Sequence, residues 1–282
     1  MDENKLRTWR GSVAYVRAAG ERVRGTAWGR AGWRVVDGLV EIQLVDRSLA
    51  LAAQIFTSVL PVIIAASVFS GWRVAAVTLE DQFGFDTGKL GGGEEYSSSD
   101  SSFAAFGAVG LLMVVLSGTS FARALGRVYA SVWQTPGMGP RDAWRWVTTL
   151  LAVAVAVGLV GQTRGLSDIR YAGRPLALAG EFVVWTLVWA LLPFWLTKGV
   201  LRGRRLWASA LLTAVGLTAV HAAGRIALPR ITANAQQHFG PLGLAFTSVS
   251  WLFVMSIVIV GAATVVRAFD SDETFVGRYL RG

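Results

Sequence analysis

The chain has 282 residues, 53% of them hydrophobic, with 12 Trp, a mean hydropathy of +0.48 and a formal net charge of +9; that balance argues against a soluble globule and for a membrane protein. Cysteine is absent, so disulfides, thiol catalysis and Cys-ligated metals are excluded, and two histidines, His221 and His238, leave little room for a histidine-rich metal site. The positive charge fits nucleic acid or anionic lipid, and its distribution decides between them.

Residues 1–47 carry nine Lys/Arg and six Asp/Glu. Trp9, Val13, Val16 and Val23 fall near one helical face, with Arg10, Arg17, Arg22 and Arg24 elsewhere around it. A second stretch, Trp28 to Val45, interleaves Trp33, Val36, Leu39, Val40 and Leu44 with charges. Both suit amphipathic helices in the membrane interface, apolar side down and basic side toward anionic headgroups. A solvated arm, or a helix packed on a soluble partner, is the alternative.

Ser48 to Trp72 is a run of 25 uncharged residues. As a helix it reaches roughly 37 Å at ~1.5 Å per residue, enough to cross a hydrocarbon core of about 30 Å. It starts 47 residues in, so it is expected to be retained rather than cleaved as a secretory leader. Gln54, Ser58 and Pro61 recur at i, i+4 and i+7, giving the helix one small, polar face that carries a proline.

Residues 73–102 hold six acidic and two basic residues and include GGGEEYSSSDSS at 91–102, which reads as a mobile surface loop. Further apolar spans follow at 103–122, 146–163, 176–197, 206–224 and 242–266. The stretch between the second and third is basic, with Arg123, Arg127, Arg141 and Arg145 and a turn at Thr135-Pro136-Gly137; the last 16 residues, 267–282, are polar. The expected fold is therefore all-α: a polytopic domain of six transmembrane helices over 48–266, preceded by N-terminal interfacial helices.

Loop charges give an independent test. With both termini cytoplasmic, 20 of the 27 Lys/Arg fall on the inside and 7 on the outside, as the positive-inside rule requires. The acidic loop 73–102 is then external, and Arg164, Arg170 and Arg174 form an unusually basic outer loop. The basic turn with Arg202, Arg204 and Arg205 joins the arginines of the arm as expected contacts to anionic headgroups on the cytoplasmic side. Membrane lipids are thus the expected partners, with a homo-oligomer left open and nucleic acid not expected.

Small residues line several spans: Gly107, Gly110, Ser117 and Gly118 in the second, Ser209, Thr213 and Gly216 in the fifth, Gly243, Thr247, Ser250 and Gly261 in the sixth. With Gln54, Ser58 and Pro61 they either meet around a common path or serve as packing surfaces. Ionisable groups inside the spans are more telling, because a charge at mid-bilayer costs on the order of 3 kcal/mol on insertion scales. Glu181 opens an inward-running helix and His221, with Arg225 one turn beyond, ends an outward-running one. All three are then expected toward the outer leaflet, either as a paired polar cluster lining an outward cavity, which with Gln54, Ser58 and Pro61 would form a substrate path, or as side chains reaching the interface separately. Pro61 and Pro193 each remove a helix hydrogen bond and permit a kink.

No HExxH, GxxxxGK[ST] or GxSxG pattern occurs, and no His/carboxylate set has metal-ligand spacing. The acidic residues Glu80, Asp81, Glu94, Glu95 and Asp100 share one loop, where a nuclease-like metal would be poorly held. No catalytic residue, metal or cofactor is expected.

Four segments carry a resemblance. DRSLALAAQIFTSVLPVIIAASVF at 46–69, FARALGRVYASVW at 121–133, LLPFWLTKGVLRGRRLWASALLTAV at 191–215 and HFGPLGLAFTSVSWLFVMSIVIVGAATVV at 238–266 resemble, in the same order, the YihY/BrkB family of bacterial inner-membrane proteins, historically labelled ribonuclease BN-like. The chain departs from that pattern at Phe239, before Gly240, and at Ala263, where an acidic residue commonly follows Gly-Ala. The resemblance implies six transmembrane helices in the inner (plasma) membrane, cytoplasmic termini and a role in envelope integrity, with transport of a lipid or other amphipathic component as the favoured activity. A non-transporting membrane scaffold is the alternative, and the ribonuclease label finds no support in these residues.

Overall fold

Residues 27–70, 101–165, 173–271 and 274–281 are described by a computed structural model, and all regular structure among them is helical. In chain order the helices are α1 (Ala27–Glu41), α2 (Leu44–Ser70), α3 (Ser101–Trp133), α4 (Ala143–Gly165), α5 (Gly173–Leu196), α6 (Gly203–Phe239), α7 (Pro241–Asp270) and α8 (Phe275–Arg281), with a 3-10 turn at Pro140–Asp142. The Leu-, Ala- and Val-rich runs place good helix formers over stretches long enough to propagate.

The helices α2 to α7 close into a ring. Each packs on the next in sequence, α7 returns to α2, and α3 also reaches α5 and α7. Short connections at 197–202 and at Gly240 force α5, α6 and α7 into antiparallel neighbours. Gly240 adopts φ 57°, where glycine is favoured, and Pro241 opens the following helix. α1 lies mainly along α7, and α8 folds back against α6 and α7. The core draws Leu51, Leu125, Tyr129, Leu192, Leu217 and Val260 from five helices.

Small residues set the helix spacing. A Cβ added at Gly118 would meet Leu150 of α4 at 2.5 Å, one at Gly216 would meet Val258 of α7 at 2.5 Å, and one at Gly224 would meet the Trp251 ring at 2.4 Å. At Gly243 the obstacle is the Ala235 carbonyl of α6. The small-residue faces thus serve pairwise close packing, as expected where helices gain little from being apolar toward one another. Gly261 has nothing within 4 Å, and Ser250 is exposed.

The outer surface is apolar. Val147, Leu151, Val155 and Leu159 of α4 are exposed at four-residue spacing, as are Val183, Leu187 and Leu191 of α5. Apolar stripes of that extent match a hydrocarbon environment. Among the described residues three helices, from Pro175 in α5 and over the whole of α6 and α7, are long and apolar enough to cross a membrane.

Two boundaries differ from the sequence reading. The second apolar run was expected to end at 122, but α3 continues to Trp133. Arg123 and Arg127 sit on its exposed side while Ala122, Leu125, Tyr129 and Val132 remain buried at helical spacing. Likewise the fifth span was placed at 206–224, but α6 continues to Phe239, with Leu228 and Thr232 buried despite Pro229 inside the helix. Pro193 falls in the last turn of α5 rather than in its middle, and its carbonyl accepts the Thr197 N–H at 2.9 Å and the Thr197 hydroxyl at 2.7 Å; the helix ends just beyond, where Lys198 and Gly199 take φ values of 56° and 74°. The arm with Arg10, Arg17, Arg22 and Arg24, most of the acidic loop and the segment around Arg170 lie outside the described residues, as does the side chain of Pro61.

Candidate functional site

Antiparallel pairing of α5 with α6 sets Glu181 and Trp185, one turn apart, opposite Arg225 and His221, also one turn apart. Arg225 Nη2 donates to Glu181 Oε2 at 2.6 Å, and His221 Nδ1 lies 3.3 Å from Glu181 Oε1. The His221 ring stacks on Trp185 with centroids 5.6 Å apart and planes 23° from parallel. His221 Nδ1 and Trp185 Nε1 are buried without a well-aligned hydrogen-bond partner.

Exposure across the cluster is uneven. The side chain of Glu181 is 3% exposed, that of His221 12% and that of Arg225 44%. The negative group is therefore sealed inside while its arginine partner reaches the molecular surface. Toward α7 the same turn of α6 meets the Trp251 ring at Gly224, an apolar contact. A carboxylate and a guanidinium in a charge-assisted hydrogen bond neutralise one another.

Three of the six residues read as a substrate path thus come together, and two others lie elsewhere. The Ser58 hydroxyl donates to the Gln54 carbonyl at 2.8 Å and to the Ser117 carbonyl of α3 at 3.2 Å, so this face of α2 is turned onto α3. Gln54 and Ser58 are half-buried there.

The basic turn after α5 has protein partners. Arg202 Nε donates to the Gly199 carbonyl. Arg204 donates to the Tyr279 carbonyl at 3.0 Å with its guanidinium 4.5 Å from the Tyr279 ring centroid, and Arg205 Nε lies 2.9 Å from Asp270 Oδ1. These arginines fasten the turn and dock α8.

A second ionic group escaped the sequence reading. Asp142 Oδ2 lies 2.7 Å from Lys198 Nζ and accepts the Gly139 N–H at 3.1 Å, while Arg145 donates to the Trp195 carbonyl at 2.7 Å. The Lys198 ammonium, helped by the Gly139 N–H and by Arg145, holds the Asp142 carboxyl below the usual carboxylate range. One signal was available: Asp142 is the only acid in the basic stretch 123–145. At the same end Arg123 lies 5.4 Å from the Trp146 ring centroid and Arg145 lies 5.0 Å from that of Trp144, an arrangement typical of a membrane boundary. Among the described residues no group of three or more His, Asp or Glu is placed to hold a metal ion.

Comparisons of this chain with protein-family models, with curated proteins and with solved structures find no match.

Proposed function

We propose that the chain is a six-span inner-membrane protein of the YihY/BrkB type, with α2 to α7 as the spans, which moves a lipid or another amphipathic envelope component and so supports envelope integrity. The observation that carries this reading is the Glu181–His221–Arg225 cluster. Three ionisable side chains meet between α5 and α6, where α5 has no other charge from Pro175 to Leu196, and intramembrane ionisable groups mark substrate or ion pathways. The exposed apolar stripes, the Arg–Trp contacts at one end and the excess of Lys/Arg on that side support the spans and cytoplasmic termini. In this topology α1 lies in the cytoplasmic interface as an amphipathic helix, and anionic headgroups are the partners proposed for the arginines of the arm.

A scaffold without transport is the second reading, favoured by the closure of the Gln54–Ser58 face on α3 and by the tight seams at Gly118 and Gly216. Reconstitution separates the two. Vesicles holding the protein should translocate a fluorescent lipid faster than protein-free vesicles, with the rate falling in Arg225→Gln. Equal rates with and without protein across several headgroups would leave the scaffold.

A further inference from the structure

Resting on the reading of the α5–α6 cluster as a substrate site, we infer that Arg225 receives a phosphodiester anion and that Glu181 competes with it for the guanidinium. The geometry divides the roles. Glu181 is enclosed and holds Arg225 through one nitrogen at 2.6 Å, while 44% of the arginine side chain faces outward. Guanidinium presents several donors in a planar fork suited to phosphate oxygens, so an incoming phosphate diester has donors to engage without entering the core. Glu181 is the occupant in its absence and competes with it.

His221 Nδ1 lies 3.3 Å from Glu181 Oε1, so the carboxylate keeps a polar neighbour when Arg225 turns to a ligand. Few other charges bear on the group. Between Gly173 and Leu196, α5 has only Glu181 and Arg174; α6 adds Arg230 more than a turn beyond Arg225; α7 has no ionisable residue from Pro241 to Val266. On α4, Arg145 bonds Trp195 at the opposite end of α5, and the side chains of Arg164 and Arg174 lie outside the described residues.

The test uses the whole chain in detergent and two singly charged anionic probes, short-chain phosphatidylglycerol and dimethyl phosphate, with short-chain phosphatidylcholine as the zwitterionic control. Arg225→Gln should lose binding of the anionic probes. Glu181→Gln, which removes the competing carboxylate, should bind them about three- to ten-fold more tightly than the native protein, the effect of one unit charge a few ångströms away in surroundings between water and a protein surface. Binding of both anionic probes assigns recognition to the phosphodiester, and binding of the lipid alone shows that the acyl chains are needed. Equal affinity for phosphatidylcholine, no tightening in Glu181→Gln, or full binding by a folded Arg225→Gln protein overturns the inference. A protein that binds in this pattern but translocates no lipid refutes transport and leaves this site standing. One that translocates lipid but binds neither anionic probe does the reverse.

Discussion

Removing Arg225 and removing the charge of Glu181 should have unequal effects, although each breaks the same pair. Arg225→Ala strands a carboxylate whose side chain is 3% exposed, whereas Glu181→Gln leaves a guanidinium that is 44% exposed. Losing one partner of a fully buried pair costs about 3–5 kcal/mol, because an uncompensated charge remains inside. Neutralisation sets a ceiling on that cost: protonating a carboxylic acid of ordinary strength takes about 3.7 kcal/mol at pH 7 and about 1 kcal/mol at pH 5. With His221 still beside it, Arg225→Ala should lose about 2–3 kcal/mol at pH 7, a deficit that shrinks toward pH 5. Glu181→Gln should lose less than about 1 kcal/mol, since the amide oxygen still accepts from Arg225.

The double variant Glu181→Gln/Arg225→Ala should recover most of the stability lost in Arg225→Ala. Equilibrium unfolding in mixed micelles at pH 7 and pH 5 measures all four proteins, and the cycle isolates the coupling between the two side chains. Equal losses for both single variants, or additive losses in the double variant, would refute the account of a sealed carboxylate.

Three further outcomes follow from the packing. Gly243→Ala drives a methyl into the Ala235 carbonyl and Gly224→Ala drives one into Trp251, so each should cost about 1–3 kcal/mol, while Gly261→Ala, with open space around it, should be neutral or gain up to about 1 kcal/mol of helix propensity in the same unfolding assay. Because Lys198 holds the Asp142 carboxyl below its usual range, the stabilisation of that latch is complete above the ordinary Asp value of about 3.9 and is lost as pH falls from there through the lower folded value; hydrogen exchange at 137–142 and 197–202 should rise below about pH 4 and rise at neutral pH in Asp142→Asn. A spin label at Leu151, on the exposed stripe of α4, should be relaxed by oxygen dissolved in the bilayer and not by a water-soluble nickel chelate, whereas one at Ala156, 1% exposed, should respond to neither.

The helices were legible in sequence because long apolar runs have few alternatives in lipid. Their ends were less so. Arg123 and Arg127 look like the end of a span, yet a helix places charged residues on its open side and continues while its other face is buried. The fifth span, placed to end at 224, continues as helix in the same way, and the burial of Leu228 and Thr232 could be seen only with α7 alongside. Glu181, His221 and Arg225 stood out singly as ionisable residues in apolar helices, and the short turn after α5 made their meeting foreseeable. The stacking of Trp185 on His221 and the Asp142–Lys198 pair depend on rotation about helix axes and on a turn with Lys198 at φ 56° and Gly199 at φ 74°, which no spacing encodes. For Ser58 the sequence offered a polar face. The hydroxyl satisfies itself on the Gln54 carbonyl within its own helix and is small enough for α3 to approach.

Helix association alone does not account for the cluster. α6 and α7 meet through Gly216 against Val258 and Gly224 against Trp251, with no charge involved, and α5 has Ala and Val enough to do the same. Replacing a buried ion pair by apolar residues of similar volume is often neutral or stabilising. The variant Glu181→Leu/Arg225→Leu should therefore fold and unfold within about 1 kcal/mol of the native protein, or more stably. If the cluster served only to hold α5 against α6, that variant would keep full activity in the lipid translocation assay. A substrate role requires the opposite: translocation falling to the protein-free rate in a protein that is folded, monodisperse and no less stable. Native activity in this variant would remove the cluster from the substrate path, and with it the main support for transport.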